Sequence, residues 1–202
     1  MIGVIVPAHD EEALIEECVE SLGRLTRSLG MHTMHVKLKN AGFVRQAGAN
    51  VALGHGTRWL AFTDADSVVA PDWLACHLAL NADAVCGMAA VDNWGMYDER
   101  MHRHFQLTYT DADGHSHIHG ANLGVSAAAY ATAGSFLGLK TSGDAALVEA
   151  LWASEAKIAW SSTPRVVTSV RPNFNALGGF GATLTTIERL GQWAGADFGL
   201  AA

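Results

Sequence analysis

Hydrophobic positions along this chain follow two rhythms. Short unbroken apolar runs at Ile2 to Val6, Trp59 to Thr63 and Ala84 to Val91 have the length and flanking turn residues of strands buried on both faces. Elsewhere apolar residues recur every three or four positions. Leu14, Ile15, Cys18, Val19, Leu22, Leu25 and Leu29 predict a helix closed by Gly30, with Asp10 as its cap after Pro7 ends the first strand. Asn40-Ala41-Gly42 turns into a predicted helix that runs through Val51 and ends near Gly54. Pro71 suits the first turn of another helix reaching about Leu80. Gly143-Asp144 opens a fourth, with Leu147, Val148 and Leu151 on its apolar side.

The remaining segments carry weaker patterns. Met31 to Lys39 interleaves apolar and basic residues and predicts a short strand, and Tyr97 to Thr110 predicts a partial helix. His115 to His119 alternates, placing three histidines on one strand face. Gly120 to Ser126 leads into a small-residue helix ending at Gly134. Lys157 to Ser161 and Arg165 to Val170 predict two short strands, and Leu184 to Trp193 a last helix. A strand, a sharp turn with Pro and an amphipathic helix form the opening of a nucleotide-binding α/β unit. With no internal repeat and no linker, the 202 residues read as one α/β domain, long enough to bury a real core.

Composition narrows the class. Half the residues are hydrophobic and 16% are charged, which excludes disorder. A net charge of −7 leaves no basic stripe for nucleic acid, so an anionic ligand must be met locally by a metal and a few cations. Three cysteines without a Cys-x-x-Cys pair, and no basic region ahead of Ile2 to Val6, fit a reduced, cytoplasmic setting. No charge-free apolar stretch reaches spanning length, which leaves peripheral membrane contact open.

The chemistry concentrates where the run Trp59-Leu60-Ala61-Phe62-Thr63 ends in Asp64-Ala65-Asp66. Ligand sites of open α/β sheets lie at such strand ends. Two carboxylates this close repel unless a cation neutralises them, and a hard ion such as Mg²⁺ or Mn²⁺, shared with substrate phosphates, does so. A solvated turn is the alternative.

Five segments in order then resemble the family 2 glycosyltransferases with the GT-A fold: Val4 to Glu12, Asn40 to Ala49 with Arg45, Asp64-Ala65-Asp66, Gly120 to Val125, and Gly143-Asp144. The resemblance spans Ile2 to about Arg171. It implies a mixed, mostly parallel sheet flanked by helices, a nucleotide-diphospho-sugar donor held through Mg²⁺ or Mn²⁺, and transfer to a hydroxyl acceptor with inversion at the anomeric carbon. It further implies a nucleotide and metal half over 1–95, an acceptor half over 96–175 and a tail over 176–202.

Carried over by position, Pro7, Ala8 and Glu11 form the loop for base and ribose, and Arg45 lies near the diphosphate. Asp64 stands near ribose and metal, and Asp66 binds the metal. Gly120, Ala121 and Asn122, with His119, wall the acceptor pocket, and Asp144 is the general base. An acceptor hydroxyl needs such a base, an effect of roughly 10²–10⁴-fold. The family usually has Asn where Asp10 stands and Glu-Asp at Gly143-Asp144. It also has a second strand ending in an acidic, base-reading residue, whereas Gly30 to Asn40 contains no Asp or Glu.

Other readings stay open. His115, His117 and His119, completed by Asp111 or Asp113, suggest a zinc site or else a polar pocket wall. An apolar strand into Asp-x-Asp is also the signature of haloacid-dehalogenase-type phosphohydrolases, with Asp64 as nucleophile. A non-catalytic nucleotide- or sugar-binding member of the same fold is the third.

Overall fold

The computed structural model describes residues 1–9, 11–12, 14–25, 40–95, 97–139, 142–170, 180–191 and 193–194. Its elements are β1 (Ile2–Ile5), α1 (Ile15–Gly23), α2 (Ala41–Gly54), β2 (Trp59–Phe62), β3 (Ser67–Val69), α3 (Trp73–Ala79) and β4 (Ala84–Ala90), followed by α4 (Glu99–Thr108), β5 (Leu123–Ser126), α5 (Ala127–Thr132), α6 (Gly143–Ala153), β6 (Ile158–Thr168) and α7 (Phe180–Leu190). The strands form one six-stranded mixed sheet in the order β1-β2-β5-β4-β6-β3. β1 and β2 pair in parallel, as do β4 and β6, while β5 and β3 run against their neighbours. Four strands thus share one direction, as expected of a mixed, mostly parallel sheet.

The unbroken apolar runs follow from helices on both faces. Along β2, Leu60 and Phe62 pack with Ala49, Tyr130, Phe136, Leu147 and Leu151 beneath α2, α5 and α6. Trp59 and Ala61 point the other way, against Cys18, Leu22 and Trp73 of α1 and α3. All four residues of β2 are buried, so no polar alternation survives in its sequence. A smaller cluster joins Tyr97, Met101, Val170 and Leu184. Cys18 and Cys86 are buried, and all three cysteines are free thiols. Among the described residues no helix is long and apolar enough to cross a membrane.

Several expectations need correction. Leu123–Ser126 is a strand, β5, which Ser126 ends by capping α5, its Oγ accepting from Ala129 N at 3.2 Å. The short edge strand β3 was not foreseen. The two strands expected over Lys157–Val170 are one, β6, kinked where Cys86 pairs with Trp160 and Met88 with Arg165. The four residues between, including Pro164, bulge out because proline cannot donate to the ladder. His115 to His119 is extended but belongs to no strand. The last helix begins at Phe180, ahead of the expected Leu184. Asp10, the helix end at Leu29–Gly30 and the strand expected over Met31–Lys39 lie outside the described residues.

Candidate functional site: a carboxylate cluster at the strand ends

The site is built from the start of α2. Asn40 caps that helix, its Oδ1 accepting from Phe43 N at 3.1 Å, while its Nδ2 donates to Leu139 O at 2.8 Å. Two residues on, a side chain at Gly42 would stand 2.7 Å from Leu137 O, so glycine alone lets the loop 136–139 lie against the helix. The Asn-x-Gly segment therefore fixes α2 on that loop. One turn later Arg45, nearly buried, is held in a single place, with its guanidinium 5.9 Å from the Phe136 ring centre.

From there Arg45 Nη2 forms a charge-assisted bond with Asp64 Oδ1, at the end of β2. Its guanidinium lies over Gly120, where a Cβ would come within 2.7 Å of Nη2. Gly120 N donates to Asp144 Oδ2 at 3.0 Å, and Ala145 N to Asp144 Oδ1 at 3.0 Å, placing that carboxylate in the first turn of α6. Arg45, Asp64, Gly120 and Asp144 come from four separate segments and form one contiguous group. Burial raises the Asp64 pKa above the usual carboxylate range, Arg45 opposes that shift, and Asp66 and Asp144 add to it. Asp66 and Asp144 thus add negative charge beside the Arg45–Asp64 pair. Asp66, in the turn before β3, accepts from Ser169 Oγ at 2.9 Å.

Pro7, Ala8 and Glu11 follow β1. Ile5 pairs with Phe62, so this loop leaves the sheet at the same end as Asp64. Pro7 and Glu11 are half-buried and Ala8 is exposed.

The Gly120–Asn122 segment divides. Gly120 belongs to the cluster, and Ala121 packs with Cys18, Val85 and Ala89 in the core. Asn122, expected to face the acceptor, is turned fully inward. Its Oδ1 accepts from Trp73 Nε1 at 2.8 Å and His77 Nε2 at 3.1 Å, and its Nδ2 donates to Met88 O at 2.7 Å and Pro164 O at 2.8 Å. Pro164 O belongs to the β6 bulge, whose ladder is broken, so Asn122 substitutes for missing backbone bonds. His77 is buried and kept neutral, its pKa lowered by burial to about 4.

The three histidines stack as expected of a shared face, His115 on His117 at 5.4 Å and His117 on His119 at 5.9 Å. Their nitrogens are turned to the fold. His115 Nδ1 accepts from His117 N at 3.1 Å and its Nε2 faces Ser161 O at 3.3 Å, while His117 Nε2 accepts from Thr110 N at 3.1 Å. Asp113 binds Ser161 and Ser162, and Asp111 binds Arg165. Among the described residues no three His, Cys, Asp or Glu side chains are grouped to hold a metal, which removes the support for zinc.

Sequence reasoning missed Tyr109. Its hydroxyl accepts from Ala89 N at 3.1 Å and bonds His119 Nε2 at 2.8 Å, while its ring lies between Phe105 and His117 at 4.4 and 4.1 Å. Burial lowers the His119 pKa to about 4, so His119 makes that bond as a neutral ring. The aromatic pair Phe105 and Tyr109, spaced i, i+4 ahead of the histidines, was the available signal.

Comparison with known proteins agrees on the fold. The chain superposes on S. aureus TarS 1-349 in complex with UDP-GlcNAc with a TM-score of 0.66, at 14% identity, over 89% of this chain and 61% of that one. It matches the mannosyltransferase PcManGT from Pyrobaculum calidifontis, in complex with GDP-Man and Mn²⁺, at a TM-score of 0.55 and 17% identity, over 84% and 57% of the two chains. A197 from STIV gives 0.54 at 14% identity, over 84% and 86%. No protein-family model matches the chain, and no curated protein sequence matches it. The fold is GT-A-like, a mixed sheet flanked by helices in one domain, and the chain spans about three fifths of the length of TarS 1-349.

Proposed function

We propose that the chain transfers a sugar from a nucleotide-diphospho-sugar to a hydroxyl acceptor, with inversion and dependence on Mg²⁺ or Mn²⁺. The convergence of two hydrogen-bonded pairs, Arg45–Asp64 and Gly120–Asp144, where the Arg45 guanidinium lies over Gly120, carries this reading. The two nucleotide-sugar complexes of the same fold, with UDP-GlcNAc and with GDP-Man and Mn²⁺, support it. Arg45 pairs with one oxygen of Asp64, the residue that the phosphohydrolase alternative needs as its nucleophile, which disfavours that alternative.

In this reading Pro7, Ala8 and Glu11 receive the nucleoside, with Asp64 beside the ribose and Arg45 near the diphosphate. The donor set fits a hard cation: Asp64 and Asp66 offer carboxylate oxygens in a field that raises the Asp64 pKa. Asp64 and Asp66 would hold such an ion together with oxygens of the substrate diphosphate. Bound there, Mg²⁺ or Mn²⁺ stabilises the charge that builds on the leaving diphosphate. Asp144 takes the proton of the acceptor hydroxyl, whose oxygen bonds to the anomeric carbon on the face opposite the leaving group. The bond from that carbon to the diphosphate oxygen breaks, and its electron pair departs with the nucleotide. Gly120 N holds the Asp144 carboxylate in place for the acceptor, and His119 stands on the acceptor side, whereas Ala121 serves the core. Three free thiols suit a cytoplasmic setting.

Thermal unfolding tests the reading. UDP or GDP at a hundred times its Kd should stabilise the protein by about 2.7 kcal/mol with Mn²⁺ and far less with EDTA. Asp66→Asn should remove the difference and leave the unliganded protein folded. Equal stabilisation with and without metal would refute the metal assignment.

A further inference from the structure

A cavity of about 240 Å³ opens at the end of β4, beneath α4, on the far side of Tyr109 from the carboxylate cluster. That volume lies just below the roughly 300–1,000 Å³ of pockets for drug-sized ligands, which suits one ring-sized unit. Its walls include Trp94, Phe105 and Tyr109, with Gln106, Asp111 and Arg165 at its polar side. Tyr109 joins it to the cluster, because its hydroxyl bonds His119, the neighbour of Gly120, whose N–H holds Asp144.

The lining selects a chemistry. Among the described residues the buried Trp94 Nε1–H has no hydrogen-bond partner, a cost that a ligand oxygen would relieve. Arg165 donates through both Nη1 and Nη2 to the two carboxylate oxygens of Asp111, so this pair offers donors and acceptors with its charge already balanced. Among the described lining residues Arg165 is already paired with Asp111, and His102 Nε2 is engaged by Gln106 Nε2 at 3.0 Å, which disfavours phosphate, while a lipid chain would leave the polar groups unsatisfied. A sugar ring meets both demands. Its hydroxyls pair with Trp94 Nε1, Gln106 and the ion pair, and its slightly positive C–H edges lie against the aromatic wall formed by Trp94 and Phe105, Tyr109 being already stacked on both faces.

We propose that this cavity binds a neutral sugar ring of the acceptor, so that the substrate glycosylated is itself a glycan or glycoconjugate whose next hydroxyl reaches Asp144. This rests on the transferase reading only in making the bound sugar the acceptor.

The chain has six tryptophans, so its indole N–H groups give a small set of resolvable ¹H–¹⁵N signals, with Trp94 assigned by Trp94→Phe. The whole chain is titrated with methyl β-glucoside, N-acetylglucosamine, methyl α-mannoside and cellobiose, and separately with inorganic phosphate and octanol. At least one saccharide should move the Trp94 signal saturably, and phosphate and octanol should not. Gln106 is exposed on α4, so Gln106→Trp should keep the fold while filling the cavity and weakening that saccharide about tenfold or more. An unmoved Trp94 signal across the saccharides, a response to phosphate or octanol instead, or undiminished binding in Gln106→Trp would each overturn the proposal. UDP and GDP with Mn²⁺ form a parallel arm. Nucleotide binding without saccharide binding removes this inference and leaves the transferase reading intact; saccharide binding without nucleotide binding keeps the sugar site and removes the transferase reading.

Discussion

Two polar groups meet at the Gly120–Asn122 segment and have opposite fates. Asn122 uses all four of its hydrogen-bonding positions inside the fold. Among the described residues Asp144 uses two of its roughly four acceptor positions, on backbone N–H groups, and keeps the rest. A fully satisfied buried amide fixes one packing arrangement, here tying β4, the β6 bulge and α3 together. A carboxylate held by only two donors, in a field of other carboxylates, is placed for chemistry at low cost to the fold. The difference separates what the fold needs from what its proposed activity needs, within a few residues.

The contrast makes Asn122 the position with the largest expected effect on stability. Asn122→Leu leaves Trp73 Nε1, His77 Nε2, Met88 O and Pro164 O unpaired and should cost about 3 kcal/mol, a fall in Tm of roughly 6–12 °C. Denaturant unfolding measures it, and a loss of donor binding at unchanged stability would make Asn122 a ligand contact after all. A smaller effect belongs to Gly120. Gly120→Ala sets a methyl group 2.7 Å from Arg45 Nη2 and should push the guanidinium off Asp64, weakening nucleotide-diphosphate binding about tenfold by calorimetry while Tm changes little. Unchanged affinity would detach Arg45 from the donor site.

The smallest effect is a pH dependence rooted in the Asn122 network. The His77 pKa is lowered from 6.5 to about 4 by burial, so the unfolded chain binds that proton first. Its contribution is complete above about pH 6.5 and is lost as pH falls from there towards 4, about 1 kcal/mol between pH 7 and 5.5. Urea unfolding at the two pH values reads it, and His77→Gln should flatten the slope.

Much of this was legible in the sequence. β1, β2 and β4 announced themselves because helices cover both sheet faces, and α2 and α6 because Asn40 and Gly143-Asp144 mark their starts. β3 and β5 escaped because three or four residues beside glycine and serine carry no period of their own. Pro164 made one strand look like two, since a bulge breaks the pattern that pairing elsewhere preserves. The Asp64, Arg45 and Asp144 cluster followed from motif order. The inward turn of Asn122 did not, because an asparagine that faces a ligand and one that braces a bulge look alike until their partners are known. Tyr109 fell within the partial helix expected over Tyr97 to Thr110 and Trp94 was not singled out, and only tertiary packing gives both the cavity and Tyr109 its bond to His119.

The central claim is that the unspent carboxylate of Asp144 does chemistry that the spent amide of Asn122 cannot. Asp144→Asn keeps an oxygen for the Gly120 N–H and removes the basicity. With nucleotide-diphospho-sugar, Mn²⁺ and a hydroxyl acceptor, the account predicts donor affinity and Tm close to those of the unaltered protein and transfer slower by roughly 10²-fold or more. Full transfer by the variant, or a drop in Tm without a separate loss of rate, would contradict it and reduce Asp144 to a helix-terminal residue.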